Sequence, residues 1–335
     1  MPVDPTKLKS LKDVGTRVIL FSVARLPNSE RLFCGSSDFK VYTVDLAAEK
    51  PALEPLTGEG HQSYVTGLAL AGRHLVSGSY DGRLIWWDTE SKQQVRAVDA
   101  HEKWIRRVIA TPDGKILASV ADDLACKLWD AESGNLLASL NDHQPITPND
   151  YPSMLYAVAV SADGTLLATG DKIGHVAVWE LPSGKKVGEV ESPGMYTWDP
   201  RQRIHSIGGI RSLAFSPDAK TLAVGGIGKI GNIDHLDGPA RIELFDWREG
   251  KSTRLIEDTK FKGLVERLAF SPDGTWLAST GGDHKGFLGF WDPATGNALK
   301  QEAAHQHCHD FAFDETFERL YTVHHGKVAA WELKA

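Results

Sequence analysis

The sequence predicts an all-β protein, a single seven-bladed β-propeller of four-stranded antiparallel blades that spans residues 1–335. The first observation behind this prediction is a short pattern of strand-forming residues, with an aromatic side chain and a closing acid, that occurs seven times. The second is its spacing, since Asp45, Asp88 and Asp130 are separated by about 40–45 residues, the period of one propeller blade. The third is that turn sequences separate the apolar runs. Repeated units of four short strands indicate a propeller.

The seven copies of the pattern lie at residues 41–45, 84–88, 126–130, 176–180, 242–246, 288–292 and 328–332. Tight turns that contain Asp-Gly or Asp-Ala precede four copies, at residues 111–114, 161–164, 216–219 and 271–274. Pro or a small residue presets such a turn and Asp-Gly closes it. Further turns follow the acid at residues 132–135, 182–185 and 294–297. Each repeat therefore reads as four strands joined by three turns.

These motifs resemble the WD-repeat family, and the resemblance covers essentially the whole chain. It implies that a hydrogen-bonded set of His, Ser or Thr, Asp and Trp holds each blade together. The matching residues are His61, Ser77, Asp81 and Trp87 in the second blade, and His101, Ser119, Asp123 and Trp129 in the third. The other blades are read as incomplete, with Asp38 but no His in the first, and with His143 and His305 opening the fourth and seventh. The regular turns suggest a bacterial member of the family.

The closure of the ring is also predicted. The seventh copy of the repeat is followed by too few residues for an outermost strand, whereas residues 8–13 align with residues 94–99, the outer strand of the second blade. We expect the N-terminal segment to complete the last blade, which removes a free sheet edge.

Composition narrows the functional classes. The net charge of −7 argues against nucleic-acid binding, which needs a basic surface. Three widely spaced cysteines imply no disulfide framework and fit a reducing compartment. The sequence contains no signal peptide and no apolar run near the roughly 18 residues of a membrane span. We therefore expect a cytoplasmic monomer without a membrane partner.

Three stretches exceed the repeat length, at residues 144–154, 195–209 and 225–241. We expect all three on one face, because connections into the innermost strand and after the second strand lie together in this fold. Loops carry function more often than the scaffold does, so these extended blade-four and blade-five loops are a candidate partner site. Lineage-specific decoration is the alternative. The candidate partner-binding residues in loops are Tyr80, Trp104, Trp198, His205 and His235.

The innermost strands carry polar residues where a strand buried on both faces should be apolar. Those that we assign to the mouth of the central channel are Arg106, Arg107, Tyr156, Arg211, Glu266, Arg267 and His309. Four arginines on one rim would suit an acidic peptide or carboxylate, because Arg binds such groups bidentately. The alternative is that they pair with Glu266, Asp310 and Asp122 and only hydrate the channel.

Several motifs that suggest chemistry are interpreted as structural. In segment 304–310, strand geometry predicts that His305, His307 and His309 point the same way. Zinc takes about four ligands, His305 already has a role in the repeat, and no second cluster is evident, so we expect no metal. Residues 225–231 are Gly-rich but lack the Gly-Lys-Ser/Thr ending of a phosphate loop. No Gly-x-Ser-x-Gly motif occurs, and the His324-His325 pair is predicted to lie in a solvated turn.

The function predicted from these features is a non-catalytic protein–protein interaction scaffold without a cofactor. Its partner is expected to be a protein or peptide, with an acidic peptide as the specific candidate. The binding surface is predicted at the rim formed by the channel mouth and the extended loops. The alternative is a propeller enzyme of the lactonase or hydrolase type, with an active site on the channel axis.

Overall fold

The computed structural model describes residues 3–232 and 234–334 and shows an all-β fold. The helices in these residues are two single-turn 3-10 helices, Pro5–Lys7 and Pro193–Met195. Among the described residues, no helix has the length and apolar character that crossing a membrane requires.

Six antiparallel sheets of four or more strands surround a central channel. The largest has six strands, in the order β27 (Cys308–Phe313), β28 (Arg319–Glu332), β1 (Lys9–Arg25), β2 (Arg31–Ser36), β3 (Val41–Asp45) and β4 (Glu54–Pro55). The other five are four-stranded and follow chain order. The first consists of β5 (Val65–Ala71), β6 (His74–Ser79), β7 (Arg83–Asp88) and β8 (Gln94–Asp99), and the second of β9 (Ile105–Ala110), β10 (Ile116–Ala121), β11 (Cys126–Asp130) and β12 (Leu136–Leu140). The third consists of β13 (Leu155–Val160), β14 (Leu166–Asp171), β15 (His175–Glu180) and β16 (Lys185–Glu191), and the fourth of β19 (Ile210–Phe215), β20 (Thr221–Ile227), β21 (Pro239–Asp246) and β22 (Lys251–Lys262). The fifth consists of β23 (Leu264–Phe270), β24 (Leu277–Gly282), β25 (Gly286–Trp291) and β26 (Ala298–Ala304). A small hairpin of β17 (Tyr196–Trp198) and β18 (Ser206–Gly208) lies in the connection before β19.

The predicted four-stranded antiparallel blades are confirmed, but the predicted count of seven separate blades is wrong, because the described residues form five four-stranded sheets and one six-stranded sheet. The number of separate sheets is smaller than predicted because β1 and β28 are paired with each other and β1 continues into the pairing with β2. Residues 9–15 of β1 pair with residues 327–332 of β28, and residues 20–25 of β1 pair with β2. The strands expected in the first and last blades are thereby joined in one sheet. This pairing places the N-terminal strand beside the last strand, where it closes the ring.

The core lies between neighbouring sheets. Trp86 and Val76 of one sheet pack in a single buried cluster with Val108 and Leu117 of the next. The Trp86 indole N–H donates to the Ala131 carbonyl at 2.8 Å, so its polar atom is satisfied across the same interface. Each sheet therefore depends on its neighbours for burial of its apolar faces.

Hydrogen-bonded side-chain sets brace individual blades. In the sheet of β5–β8, His61 contacts Asp81 at 3.0 Å and the Ser77 hydroxyl at 2.8 Å, and the Trp87 indole donates to Ser77 at 2.8 Å. In the sheet of β9–β12 the same three contacts join His101, Asp123, Ser119 and Trp129 at 2.9, 2.7 and 2.9 Å. Burial opposes ionisation of Asp81, yet the hydrogen bond from its histidine leaves its pKa below the ordinary value.

The sheet of β13–β16 also has a complete set, although the sequence analysis read it as incomplete. His143 contacts Asp171 at 2.9 Å and Thr169 at 2.8 Å, and Trp179 donates to Thr169 at 3.1 Å. A threonine hydroxyl therefore takes the place of serine.

In the last blade the role assigned to His305 is wrong. His305 is exposed, and its imidazole makes none of the hydrogen bonds found among the described residues. The buried His324 contacts the Thr322 hydroxyl at 2.8 Å instead, and Trp331 donates to the same hydroxyl at 2.9 Å. The prediction that His324 lies in a solvated turn is therefore wrong, because this residue lies within the blade.

Candidate functional site

A cavity of about 250 Å³ opens at one end of the central channel. Six of the inner-strand residues predicted at the channel mouth line it, namely Arg106, Arg107, Tyr156, Arg211, Glu266 and His309, together with the predicted loop residue Tyr80. Phe21, Thr66 and Leu264 complete the lining. Most of these residues are second or third in their strands, so they lie at one end of the channel.

A repeated β-bulge positions the side chains of this mouth. In each innermost strand the pairing register skips one residue, which lies near the start of the strand except in the long β1. The skipped residues are Phe21, Thr66, Arg106, Tyr156, Arg211, Glu266 and His309, and all of them line the cavity. A bulge leaves one residue out of the ladder and redirects its side chain. This explains how charged residues leave an otherwise apolar strand. We call these seven residues the bulge ring.

Arg106 is held in place by charge pairing and by aromatic rings. Its Nε and Nη2 atoms donate to the two carboxylate oxygens of Asp122 at 2.7 and 2.6 Å, and its Nη1 atom donates to the Tyr80 hydroxyl. Its guanidinium also lies 4.8 Å from the Tyr80 ring centre and 5.2 Å from that of Trp104. Burial opposes its charge, but the bond to Asp122 raises the pKa of Arg106 above its ordinary value. Its charge is thus compensated within the chain.

Arg211 is arranged differently. Its guanidinium carbon lies 3.7 Å from the ring centre of Tyr156, and the two side chains share the cavity. Its Nη1 atom is buried, with no hydrogen-bond partner among the described residues. A buried donor without a partner is costly, so this atom is poised to bind a group from outside the chain.

Arg107 and Arg267 lie along the channel and pair with Asp310. The Arg107 Nη2 atom is 2.7 Å and the Arg267 Nε atom 3.4 Å from Asp310 Oδ1. Arg267 is absent from the lining of the first cavity and lines a second one of about 540 Å³, with Arg107 and Asp310. The expectation of four arginines on one rim is therefore not met at Arg267, which does not line the first cavity, whereas Arg107 lines both cavities. Arg267 follows the bulged Glu266 and pairs in register with Thr280. Burial and the nearby Arg107 lower the pKa of Arg267 to about 10.

Exposed aromatic side chains extend from the mouth across the first three repeats. Trp104 stacks on Tyr80 with ring centres 4.6 Å apart, Tyr80 lies 5.7 Å from Tyr64, and Tyr64 lies 5.9 Å from Phe39. Phe39, Tyr64 and Trp104 are 41%, 42% and 50% exposed. We call these four residues the aromatic arc. Contiguous exposed apolar surface of this kind is typical of interaction sites.

Tyr80 and Trp104 of the arc were predicted as partner-binding residues, whereas Phe39 and Tyr64 were not. Both missed residues occupy loops that correspond to those of Tyr80 and Trp104 in the neighbouring repeats. An alignment of loops, rather than of strands alone, would have found them.

The three extended loops contact one another. Tyr151 of the first loop lies 5.3 Å from Trp198 and 5.8 Å from His205 of the second, measured between ring centres. The Thr197 hydroxyl of the second loop accepts from the Ile230 backbone N–H of the third at 3.1 Å. The first loop reaches the cavity at Met154, whose sulfur accepts from the Tyr156 hydroxyl. We call loops 144–154, 195–209 and 225–241 the long-loop cluster; His235 belongs to the third loop and is exposed.

Three histidines form a possible metal-ligand set beside the cavity. A ring nitrogen of each of His307, His309 and His325 lies within 4.8 Å of the others. His325 was predicted in a solvated turn and His305 among the candidate ligands, but the pairing of β27 with β28 brings His325 into the cluster and leaves His305 exposed. Burial lowers the pKa of His309 well below its ordinary value, and it also lowers the pKa of His325. Burial of Glu266 opposes ionisation, but its bond with His307 brings its pKa to about 2.

Parts of the chain are similar to known repeat proteins. Residues 54–88, 92–130 and 255–292 match the family described as WD domain, G-beta repeat. Telomerase protein component 1 of Mus musculus is 27% identical over 80% of this chain and 9% of its own length. Eukaryotic translation initiation factor 3 subunit I of Candida albicans is 27% identical over 61% of this chain and 53% of its own length. Nuclear distribution protein PAC1 of Arthroderma otae is 28% identical over 56% of this chain and 42% of its own length.

The chain thus spans between 9% and 53% of the length of these relatives. All three come from eukaryotes, so the bacterial origin suggested by the turn sequences is not supported. The matched repeats, the relatives and the ring of antiparallel sheets support a WD-repeat β-propeller.

Proposed function

We propose that this chain is a non-catalytic protein-interaction scaffold that binds an acidic segment of a protein or peptide partner at the channel mouth. The observation that carries the proposal is the guanidinium of Arg211, stacked on Tyr156 inside the cavity with a buried Nη1 atom that has no partner among the described residues. A carboxylate fits such a group best, since it accepts two parallel hydrogen bonds from the planar guanidinium.

Three carboxylates of the channel wall form their ion pairs with side chains other than Arg211. Their partners are Arg106 for Asp122, Arg107 for Asp310 and His307 for Glu266. The alternative interpretation, in which the arginines pair with carboxylates of the channel and only hydrate it, therefore applies to Arg106, Arg107 and Arg267. It does not extend to Arg211.

The aromatic arc supports a macromolecular partner over a small anion. Its exposed rings lead away from the cavity over several repeats, and Trp104 is 50% exposed. Exposed Trp and Tyr side chains beside an Arg are the residue types that dominate binding energy in protein interfaces. We propose that the acidic group of the partner enters the cavity while its apolar side chains cover the arc.

We propose that the long-loop cluster forms the side of the partner-binding surface opposite the aromatic arc. Its candidate contact residues are Trp198, His205 and His235, and Met154 connects it to the cavity. Deletion of residues 228–238 tests this side separately from the arc. Retained binding by the deletion variant would restrict the partner surface to the mouth and the arc.

The proposal is tested by selecting peptides from a random display library on the wild-type protein. We expect enrichment of acidic peptides, and we expect Arg211→Glu to weaken their binding about tenfold to a hundredfold, since a charge-assisted hydrogen bond contributes about 1.5–3 kcal/mol. Arg73→Glu is the matched control, because Arg73 is 71% exposed in the turn that follows β5, away from the mouth. Selected peptides without acidic enrichment, or equal affinity for wild type and Arg211→Glu, would refute the proposal.

We further propose that the protein acts as a cytoplasmic monomer and does not bind nucleic acid. The net charge of −7 supports the last point, because binding of a nucleic-acid polyanion needs a basic surface.

The innermost strands also bear on the number of blade positions around the channel. The strands β1, β5, β9, β13, β19, β23 and β27 follow one another around the channel, and each contributes one member of the bulge ring. We infer that the six-stranded sheet occupies two blade positions. This would give the mouth sevenfold pseudosymmetry.

A further inference from the structure

We propose that His307, His309 and His325 form a binding site for one divalent transition-metal ion, with Zn²⁺ as the best-fitting ion. The inference is independent of partner binding. It rests on the way two strands bring three imidazoles together, on an adjacent carboxylate and on a buried nitrogen atom without a partner.

The geometry begins with the pairing of β27 and β28. Cys308 pairs with His324, and the His325 backbone N–H contacts the His307 carbonyl at 3.4 Å, so His325 lies opposite His307. The ring centres of His307 and His309 are 4.2 Å apart and those of His309 and His325 are 4.9 Å apart. One nitrogen of each ring lies within 4.8 Å of the others. Tetrahedral zinc with Zn–N bonds of 2.0–2.1 Å needs a separation of about 3.4 Å between ligand nitrogens. The three rings are nearly parallel, with interplanar angles of 12°, 12° and 23°, so coordination of one ion requires the imidazoles to turn about their side-chain torsions until their nitrogens converge.

Glu266 adds an oxygen to this set from the neighbouring sheet. Its Oε1 atom lies 3.1 Å from His307 Nε2. A carboxylate in this position either orients the imidazole for coordination or enters the coordination shell itself. Three imidazoles and one carboxylate form a donor set that suits Zn²⁺ and other late first-row ions, whereas Ca²⁺ and Mg²⁺ prefer oxygen ligands.

His309 supplies the second, independent observation. Its Nε2 atom is buried and has no hydrogen-bond partner among the described residues. Buried polar atoms are nearly always satisfied, so an orphaned imidazole nitrogen calls for a specific explanation. A coordinated metal ion provides one. The bulge at His309 keeps this side chain out of the strand ladder and directs it to the cavity.

The histidines of this set differ from a second cluster on the chain. Asp142, His175 and Glu189 also place ligand atoms close together, but Lys186 occupies that cluster with contacts of 2.7 Å to Asp142 and 2.6 Å to Glu189. The second cluster is therefore already neutralised by a side chain.

The experiment uses the full chain, stripped of metal with a chelator and then titrated with Zn²⁺ alone by calorimetry. We expect one ion per chain in the wild type and at least a tenfold loss of affinity in His309→Ala and in His325→Ala. His305→Ala is the matched control, since His305 lies in the same segment but is exposed and outside the set. It should bind like the wild type. Absence of stoichiometric binding, or binding unchanged in both ligand variants, would overturn the proposal.

A second measurement keeps the test valid if a variant misfolds. Crystals of the wild-type protein soaked in Zn²⁺ should show an anomalous peak between the three imidazoles. Replacement by Co²⁺ should give the intense visible absorption of a four-coordinate site. An anomalous peak at Asp142 and His175 instead, or a six-coordinate cobalt spectrum, would contradict the assignment.

Discussion

Replacing His101 by alanine removes the central member of a hydrogen-bonded set in the propeller. His101 contacts the Asp123 carboxylate at 2.9 Å and the Ser119 hydroxyl at 2.7 Å, and its side chain is fully buried. Ser119 in turn accepts from the Trp129 indole at 2.9 Å. The variant therefore leaves the carboxylate and the hydroxyl each without one partner, inside the sheet where water has little access.

The expected cost follows from these lost contacts. A buried polar group that loses its partner costs about 1–3 kcal/mol. Asp123 keeps backbone N–H donors from Glu102 and Ala125, at 3.2 Å each, and Ser119 keeps its bond from Trp129, so both contributions fall in the lower part of that range. We expect the free energy of unfolding to fall by about 2–4 kcal/mol in total.

Urea unfolding followed by tryptophan fluorescence measures this change, because Trp129 is buried beside the altered site. His305→Ala is the matched control, since it makes the same substitution at an exposed histidine. The reasoning is refuted if the two variants unfold at the same urea concentration. A double-mutant cycle with Ser119→Ala then isolates the contact between His101 and Ser119, which should be non-additive.

Three further predictions concern closure, pH and surface. Deletion of residues 1–13 should sharply lower the melting temperature, because it removes the pairing with β28 and the buried Leu8; an unchanged melt would disprove closure by this strand. Despite burial, a histidine bond lowers the pKa of Asp81 and of Asp123 in the folded state, so their stabilisation is present above about pH 4 and lost as pH falls through the folded pKa. Asp123→Asn should therefore flatten the acid limb of the stability curve, and an identical limb would contradict the assignment. Trp104→Ala should change the free energy of unfolding by less than about 0.5 kcal/mol while weakening peptide binding, and an equal loss of both would make this residue structural.

The fold class was predictable because a repeat of about 40–45 residues has few architectural solutions. The number of separate sheets was not. Sequence alignment assigns residues 8–13 an outer-strand role, but it does not reveal that β1 continues without interruption into the next inner strand. Whether two blades share a sheet depends on whether backbone hydrogen bonding continues along β1 from β28 to β2. No residue type in the sequence specifies this continuity.

The bracing histidines illustrate a second limit. His61 and His101 were found because each precedes a Ser by 16 or 18 residues and an Asp by 20 or 22 residues. His305 was assigned from its place before the last blade, yet the structure uses His324, which reaches Thr322 from within the strand at 2.8 Å. The spacing of residues along the sequence does not show which side chains become neighbours across a pair of strands.

Part of the channel mouth was predictable, since charge in a doubly buried strand indicates an exit to water. The carboxylate with which each arginine pairs was not predictable. Arg106 and Arg107 are adjacent in sequence, yet one pairs with Asp122 at the mouth and the other with Asp310 inside the channel. The bulge at Arg106 causes this separation, and a bulge follows from backbone pairing rather than from composition.

The bulge ring also separates recognition from stability. A residue in the regular ladder of an inner strand must satisfy pairing and burial together, which favours small or apolar side chains. The charged residues Arg107, Arg267 and Asp310 do occur in the ladder, where the two arginines pair with Asp310. A bulged residue is released from the ladder, and the seven positions accordingly hold residues as different as Phe21, Thr66, Glu266 and His309. Substitution at ring positions without an ion pair, such as Phe21 and Arg211, should therefore alter what the mouth binds with little effect on the fold. Loss of Arg106 should also destabilise the fold, because it leaves the buried Asp122 without its partner. Substitution of the bracing histidines should affect stability more than binding.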